Sequence, residues 1–138
     1  MSREIRGTVV LDWDGICEDS YGQRLDAASP RHDFGGIDEA HLRGYAVAIS
    51  TCNIVDYIGQ VLTGQGYRVR ARSVHASCYW EDPRIVLVTN VKISGWYVDD
   101  RAIMRGTASP WRFPVDWREV FAQLEIAEMH PERYQEAW

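Results

Sequence analysis

Apolar and polar positions follow one another along this chain in two rhythms, and the switches between them lay out its elements. Thr8 to Leu11 is a short apolar run of largely β-branched residues, the mark of a buried strand. From Gly15 to Gly36 the chain is polar, glycine-bearing and aperiodic, which predicts a long loop or flap. Ile37 to Arg43 predicts a short helix closed by Gly44. Tyr45 to Ile49 predicts a second buried strand, running into Ser50-Thr51-Cys52-Asn53. Ile54, Val55, Ile58, Val61 and Leu62 then recur at helical spacing, with Asn53 as N-cap, Asp56 at N3, and Gly64 and Gly66 at the end. Tyr67 to Ser73 alternates polar and apolar residues, as a strand at or near a sheet edge does. Ile85 to Thr89 is strongly β-branched, Trp96 to Val98 is a further short strand, and Ala102 to Met104 either extends that strand or pairs beside it. Asp116 and Glu119 form a capping-box-like pair ahead of a final helix. Its buried stripe is Trp117, Val120, Phe121, Leu124 and Ala127.

Strands alternating with helices predict an α/β fold, a three-layer Rossmann-like sandwich with a mostly parallel central sheet. No repeat, low-complexity tract or linker interrupts the 138 residues, so one domain spanning 1–138 is expected. The formal charge of −5 argues against a general nucleic-acid binder. Arg68, Arg70 and Arg72 do alternate along one segment, but a solvated strand face accounts for them. Cys17, Cys52 and Cys78 are odd in number and outside any paired zinc pattern, which predicts free thiols in a reducing compartment. The first residues lack an apolar signal region and no run approaches membrane-spanning length. The expectation is a cytoplasmic protein without membrane contact.

Of the 15 basic residues only Lys92 is a lysine. Arginine evidently serves surface pairing here. Either position 92 requires a compact ammonium, or this lysine is a survivor of arginine-favouring codon usage.

The polar groups worth noticing stand at predicted strand ends. Asp12 and Asp14 follow the first strand, Ser50 and Thr51 the second, and Asp99 and Asp100 the strand at Trp96–Val98; Lys92 follows another closely. Side chains two apart on an extended segment share a side, so Asp12 and Asp14 can face one ligand. Two carboxylates in one place repel, so a cation is expected beside them. Ligands of α/β sheets gather at the carboxyl ends of strands. Trp13, between the acids, is expected to turn into the core. Tyr79, Trp80 and Trp96 are read as packing residues, His75 and Cys78 lack a second ligand pair for zinc, and Arg101 is expected to pair with nearby acids.

Together these groups resemble the haloacid dehalogenase (HAD) superfamily, in particular its small capless hydrolases. Val9-Val10-Leu11-Asp12-Trp13-Asp14-Gly15 matches the family's apolar strand followed by Asp-x-Asp. Ala46 to Thr51 matches a strand ending in Ser or Thr; counting from Gly44 favours Thr51, with Ser50 as the fallback. Lys92 is the candidate for the family's lysine, seven residues before Asp99, and Tyr97-Val98-Asp99-Asp100 matches the final acidic motif. The resemblance implies a Mg²⁺-dependent phosphatase acting on a phosphate monoester. Asp12 would attack phosphorus to give an aspartyl-phosphate, and Asp14 would protonate the leaving oxygen and then activate water. Thr51 would donate to a phosphoryl oxygen, and Lys92 would neutralise the phosphate and Asp12. Mg²⁺ would take oxygens from Asp12, Asp14 (its backbone carbonyl) and Asp99, with Asp100 in support.

The long loop after Asp14, a flap or minimal cap within about 15–43, lacks a second folded domain of the kind that caps many members of that family. An open site suits a large phosphorylated substrate or else needs another subunit to close it, and nucleic acid enters only if a phosphorylated end is the substrate. Two other readings remain. The acids could serve carboxylate–metal nuclease chemistry, which gives Lys92 and Thr51 no necessary role. A non-catalytic HAD-fold binding or regulatory protein would keep the fold without turnover.

Overall fold

The computed structural model describes residues 7–19, 31–71, 82–91, 93, 95–98 and 113–129. Five strands, β1 (Thr8–Leu11), β2 (Ala46–Ser50), β3 (Arg68–Ala71), β4 (Ile85–Thr89) and β5 (Trp96–Val98), make one sheet in the order β3-β4-β2-β1-β5. Every pairing is parallel. Three helices flank the sheet: α1 (Gly35–Leu42), α2 (Val55–Gly64) and α3 (Trp117–Met129). The fold is of the three-layer, Rossmann-like α/β class that the sequence pattern predicts: the three described helices form one layer against the sheet, whose opposite face is buried as well.

Register explains how the faces divide. Val9 pairs with Val47 and Trp96, and Val47 with Val86, which in turn pairs with Val69. Paired residues of neighbouring strands share a face, so the positions 9, 11, 47, 49, 86, 88 and 98 line one side. That side carries the larger core, closed by Ile37 and Ala40 of α1, Val55, Ile58 and Leu62 of α2, and Val120, Phe121 and Leu124 of α3. The alternate positions Ala46, Ala48 and Leu87 form a smaller cluster on the other face, with Ile93 packed against it. Strands buried on both faces read as continuous apolar runs, and β1, β2 and β4 do.

β3 is an edge strand, and its burial alternates as the sequence rhythm predicts, with Arg68 and Arg70 exposed. β5 occupies the other edge. A Cβ at Gly95, just before it, would come within 2.7 Å of the Thr8 carbonyl oxygen, so only glycine lets the chain approach β1 this closely.

Two helix starts differ from expectation. α1 begins at Gly35, two residues before Ile37, because the Asp33 carboxylate accepts the Gly35 N–H at 2.9 Å and satisfies an orphan donor of the first turn. α2 begins at Val55 with Ile54 as N-cap; Asn53 lies one position further out and its Oδ1 accepts the Ile54 N–H at 2.7 Å. The α3 start is as expected: Asp116 Oδ1 accepts the Glu119 N–H at 3.3 Å, and Val120, Phe121, Leu124 and Ala127 are buried. Among the described residues no helix is long and apolar enough to cross a membrane. The expected extension at Ala102–Met104 lies outside the described residues, as do Arg72, Ser73, His75, Cys78, Tyr79, Trp80 and Arg101.

Candidate functional site

Because all strands are parallel, their carboxyl ends share one edge, and β1 stands between β2 and β5 there. The ladders run one residue past the strand ends. Asp12 donates its N–H to the Val98 carbonyl at 3.0 Å, and Thr51 donates its own to the Thr89 carbonyl at 3.0 Å. Asp12 is thereby fixed where β1 meets β5, and Thr51 where β2 meets β4. Val98 is the last residue before Asp99 in the sequence. Lys92, Asp99 and Asp100 themselves lie outside the described residues.

The strand does not continue through the acids. β1 ends at Leu11, and the Trp13 carbonyl accepts the N–H groups of Cys17 and Glu18, each at 3.0 Å, in a tight turn. Gly15 holds φ = 82° in that turn, a conformation other residues adopt only with strain, and its carbonyl accepts the Phe113 N–H at 2.7 Å. The period-two rule for Asp12 and Asp14 thus stops at Leu11, and the turn takes over their orientation. Trp13 is fully buried, as expected, with its ring 5.4 Å from that of His32 and 6.2 Å from that of Phe34.

A neutral group donates to each acid. Asp12 Oδ1 accepts the Trp13 N–H at 2.9 Å. The Asn53 side-chain amide reaches across from the β2–α2 loop and donates to both carboxylate oxygens of Asp14, at 3.2 and 3.4 Å. Asn53 also donates its backbone N–H to Thr51 Oγ1 at 3.0 Å, so one residue links Thr51 with Asp14. Asn90, following β4, donates its side-chain amide to the carbonyls of Thr51 at 2.6 Å and Asn53 at 3.0 Å. These bonds satisfy loop carbonyls that no strand partner reaches.

The two hydroxyls differ in what they do. Ser50 donates its O–H to the Val91 carbonyl at 3.1 Å, which commits its only proton. Thr51, nearly buried, uses a lone pair to accept from Asn53, and that bond leaves its proton available to donate.

Behind the acids the turn is anchored by a buried Glu18, whose Oε1 accepts Tyr57 O–H at 2.7 Å and meets His32 Nε2 at 3.0 Å. Asp19 and Arg31 form an ion pair, and Asp19 N–H donates to the Arg31 carbonyl at 2.9 Å, which holds these two positions side by side. Burial, and then the nearby carboxylates of Asp33, Asp12 and Glu18, push the Cys17 thiol far above its ordinary range. It stays protonated and is no nucleophile.

Asp12 and Asp14 are the hard oxygen donors a small divalent cation takes, so their chemistry fits Mg²⁺. Among the described residues no group of three or more His, Cys, Asp or Glu side chains converges as a metal cluster. A groove of about 420 Å³ between α2 and β3 is lined by Asp56, Gly59, Gln60, Thr63, Val69 and Ala71, none of them a predicted site residue. Sequence reasoning missed Asn53 as a link and Asn90 altogether. Asn90 directly follows a strand end, the one signal that would have singled it out.

No family model, curated protein or solved structure matches this chain.

Proposed function

We propose that the chain is a Mg²⁺-dependent phosphohydrolase of the HAD type, cleaving a phosphate monoester through an aspartyl-phosphate on Asp12. The observation that carries this reading is the shared edge. Asp12 and Thr51 extend adjacent parallel strands, and Asn53 ties Thr51 to Asp14. A hydroxyl with a proton to give, one carboxylate beside β5 and a second held by an amide suit the two halves of a phosphoryl transfer.

In the first half, an Asp12 carboxylate oxygen attacks phosphorus as the bond to the ester oxygen breaks, and the protonated Asp14 gives its proton to that oxygen. In the second, Asp14, now ionised, takes a proton from water as the water attacks phosphorus and the Asp12–phosphorus bond breaks. Phosphate leaves and both acids return to their starting states. Thr51 donates a hydrogen bond to a phosphoryl oxygen throughout. Lys92 would neutralise charge on the phosphoryl group, and Asp12, the Asp14 carbonyl and Asp99, with Asp100 in support, would hold a Mg²⁺ that would supply electrostatic stabilisation of that same charge.

A panel of phosphate monoesters with Mg²⁺, run beside Asp12→Asn protein as the blank, tests the reading. Phosphate release by the native chain alone supports it. Equal release by both proteins, or none by either, removes it. Nucleic-acid cleavage that survives Lys92→Ala and Thr51→Ala would favour the nuclease alternative instead.

A further inference from the structure

Past the ends of β1 and β2 two side-chain links join the same two segments. Asn53 donates its amide to Asp14 at 3.2 and 3.4 Å, and Tyr57 donates its hydroxyl to Glu18 at 2.7 Å. Glu18 stands four residues beyond Asp14, and Tyr57 four beyond Asn53, so the second link repeats the first one step further along both segments. Each end of the second is also tied to the matching end of the first. Glu18 donates its N–H to the Trp13 carbonyl at 3.0 Å, and its own carbonyl accepts the Gly15 N–H at 2.9 Å, which brackets Asp14 between two backbone bonds. On the other side Asn53 Oδ1 accepts the Ile54 N–H at 2.7 Å, and the Ile54 carbonyl accepts the Ile58 N–H at 3.2 Å, across the turn of α2 that carries Tyr57. Glu18 is only 7% exposed, and its Oε1 also meets Nε2 of His32, whose ring stacks on Phe34 at 5.5 Å. Buried polar networks of this kind rigidify the segments they join.

Resting on the phosphohydrolase reading, we infer that Tyr57 is a positioning residue for Asp14: its bond to Glu18 sets the β1 turn against the β2–α2 loop, and so aims the Asp14 carboxyl at the leaving oxygen. Tyr57 itself touches no reacting atom. It acts through Glu18 on the turn and through Asn53 on the carboxyl. Loss of its hydroxyl lets turn and loop shift against one another. A misplacement of about 1 Å costs about a hundredfold in rate, so a shift of roughly a third of that predicts about fivefold. The loss falls on one step, the transfer of the Asp14 proton. Hexanol leaves hexyl phosphate only with that proton, whereas 4-nitrophenolate leaves its phosphate ester as a stabilised anion. The ester with the poorer leaving group therefore bears the defect.

The test measures kcat/KM on hexyl phosphate and on 4-nitrophenyl phosphate, since kcat/KM covers phosphoryl transfer to Asp12 and leaves out breakdown of the intermediate. Tyr57→Phe keeps the ring, which is 36% exposed, and circular dichroism checks that the variant folds. It is expected to lower kcat/KM about fivefold on hexyl phosphate and to leave the nitrophenyl ester nearly unchanged. In the Asn53→Ala background the same substitution is expected to add nothing, because the link it acts through is already gone. Tyr45→Phe removes a bond of the same kind, to Glu128 at the amino edge, and is expected to leave the ratio of the two esters as it was. An equal fall on both esters, no fall on either, a full effect in the Asn53→Ala background, or the same change from Tyr45→Phe overturns the inference and leaves the phosphohydrolase reading standing. Hydrolysis of neither ester by the native chain overturns the inference, and if no other monoester is hydrolysed the phosphohydrolase reading falls with it.

Discussion

At the two edges of the sheet different donors reach the acids. At the amino edge charge meets charge. Arg43 bonds Glu39 at 2.7 Å and Glu125 at 2.5 Å, joining α1 to α3, and lies over the Phe121 ring at 5.2 Å. At the carboxyl edge the bonds described for Asp12 and Asp14 come from a backbone N–H and an asparagine amide. An arginine cancels the charge it orients. An amide orients a carboxylate without bringing a positive charge of its own. On the reading proposed above, the first edge serves cohesion and the second chemistry.

Substitutions at each edge break that comparison in different currencies. The largest effect belongs to Asp12→Asn, which is expected to lower kcat on any accepted monoester by at least about a thousandfold, as removal of a nucleophile does. Its thermal midpoint should stay near that of the native chain, measured by circular dichroism. Phe121→Ala, at the cohesive edge, should do the reverse. It empties a fully buried site against Tyr45 and is expected to cost about 3–5 kcal/mol of unfolding free energy in a urea titration, with kcat of the folded protein retained.

Asn53→Ala sharpens the contrast at the chemical edge. Losing a hydrogen bond to a charged group predicts a fall in kcat of about tenfold, with KM nearly constant if the amide positions Asp14 rather than substrate. Arg43→Ala removes two partly exposed ion pairs and a cation–π contact, and about 0.5–1 kcal/mol is expected from the urea midpoint, shrinking with added salt. The smallest effect is a pH slope. Burial holds the His41 imidazole below its ordinary pKa of 6.5, so the unfolded chain takes up a proton that the folded one resists. Stability is therefore complete above that value and declines as the pH falls through 6.5, and His41→Leu should flatten this limb of the stability profile.

Much of this was readable from the chain. β1 and β4 were bounded to the residue, because continuous β-branched runs flanked by turn residues leave little choice. The α3 stripe and its Asp116 cap followed from spacing alone. Helix starts were less legible. Asp33 recruits Gly35 into α1, and Asn53 turns its amide to Asp14 instead of capping α2, since a side chain's choice of partner depends on what the fold brings near it. For the same reason Asp12, Asp14 and Thr51 stand out by type and strand-end position, whereas the bond from Asn90 to the Asn53 carbonyl, 37 residues away, is not written in either neighbourhood. Local pattern encodes elements; the links between loops come from the register of the sheet.

The central claim is that Asp12 carries the phosphoryl group. Acid quenching of the Asp14→Asn protein during turnover of an accepted monoester, followed by peptide mass spectrometry, tests it most directly, because that variant slows breakdown of the intermediate. The account predicts one phosphoryl adduct, on Asp12, lost when Asp12 is also replaced by Asn. Phosphate release without any adduct on Asp12, or an adduct on another residue, would contradict it.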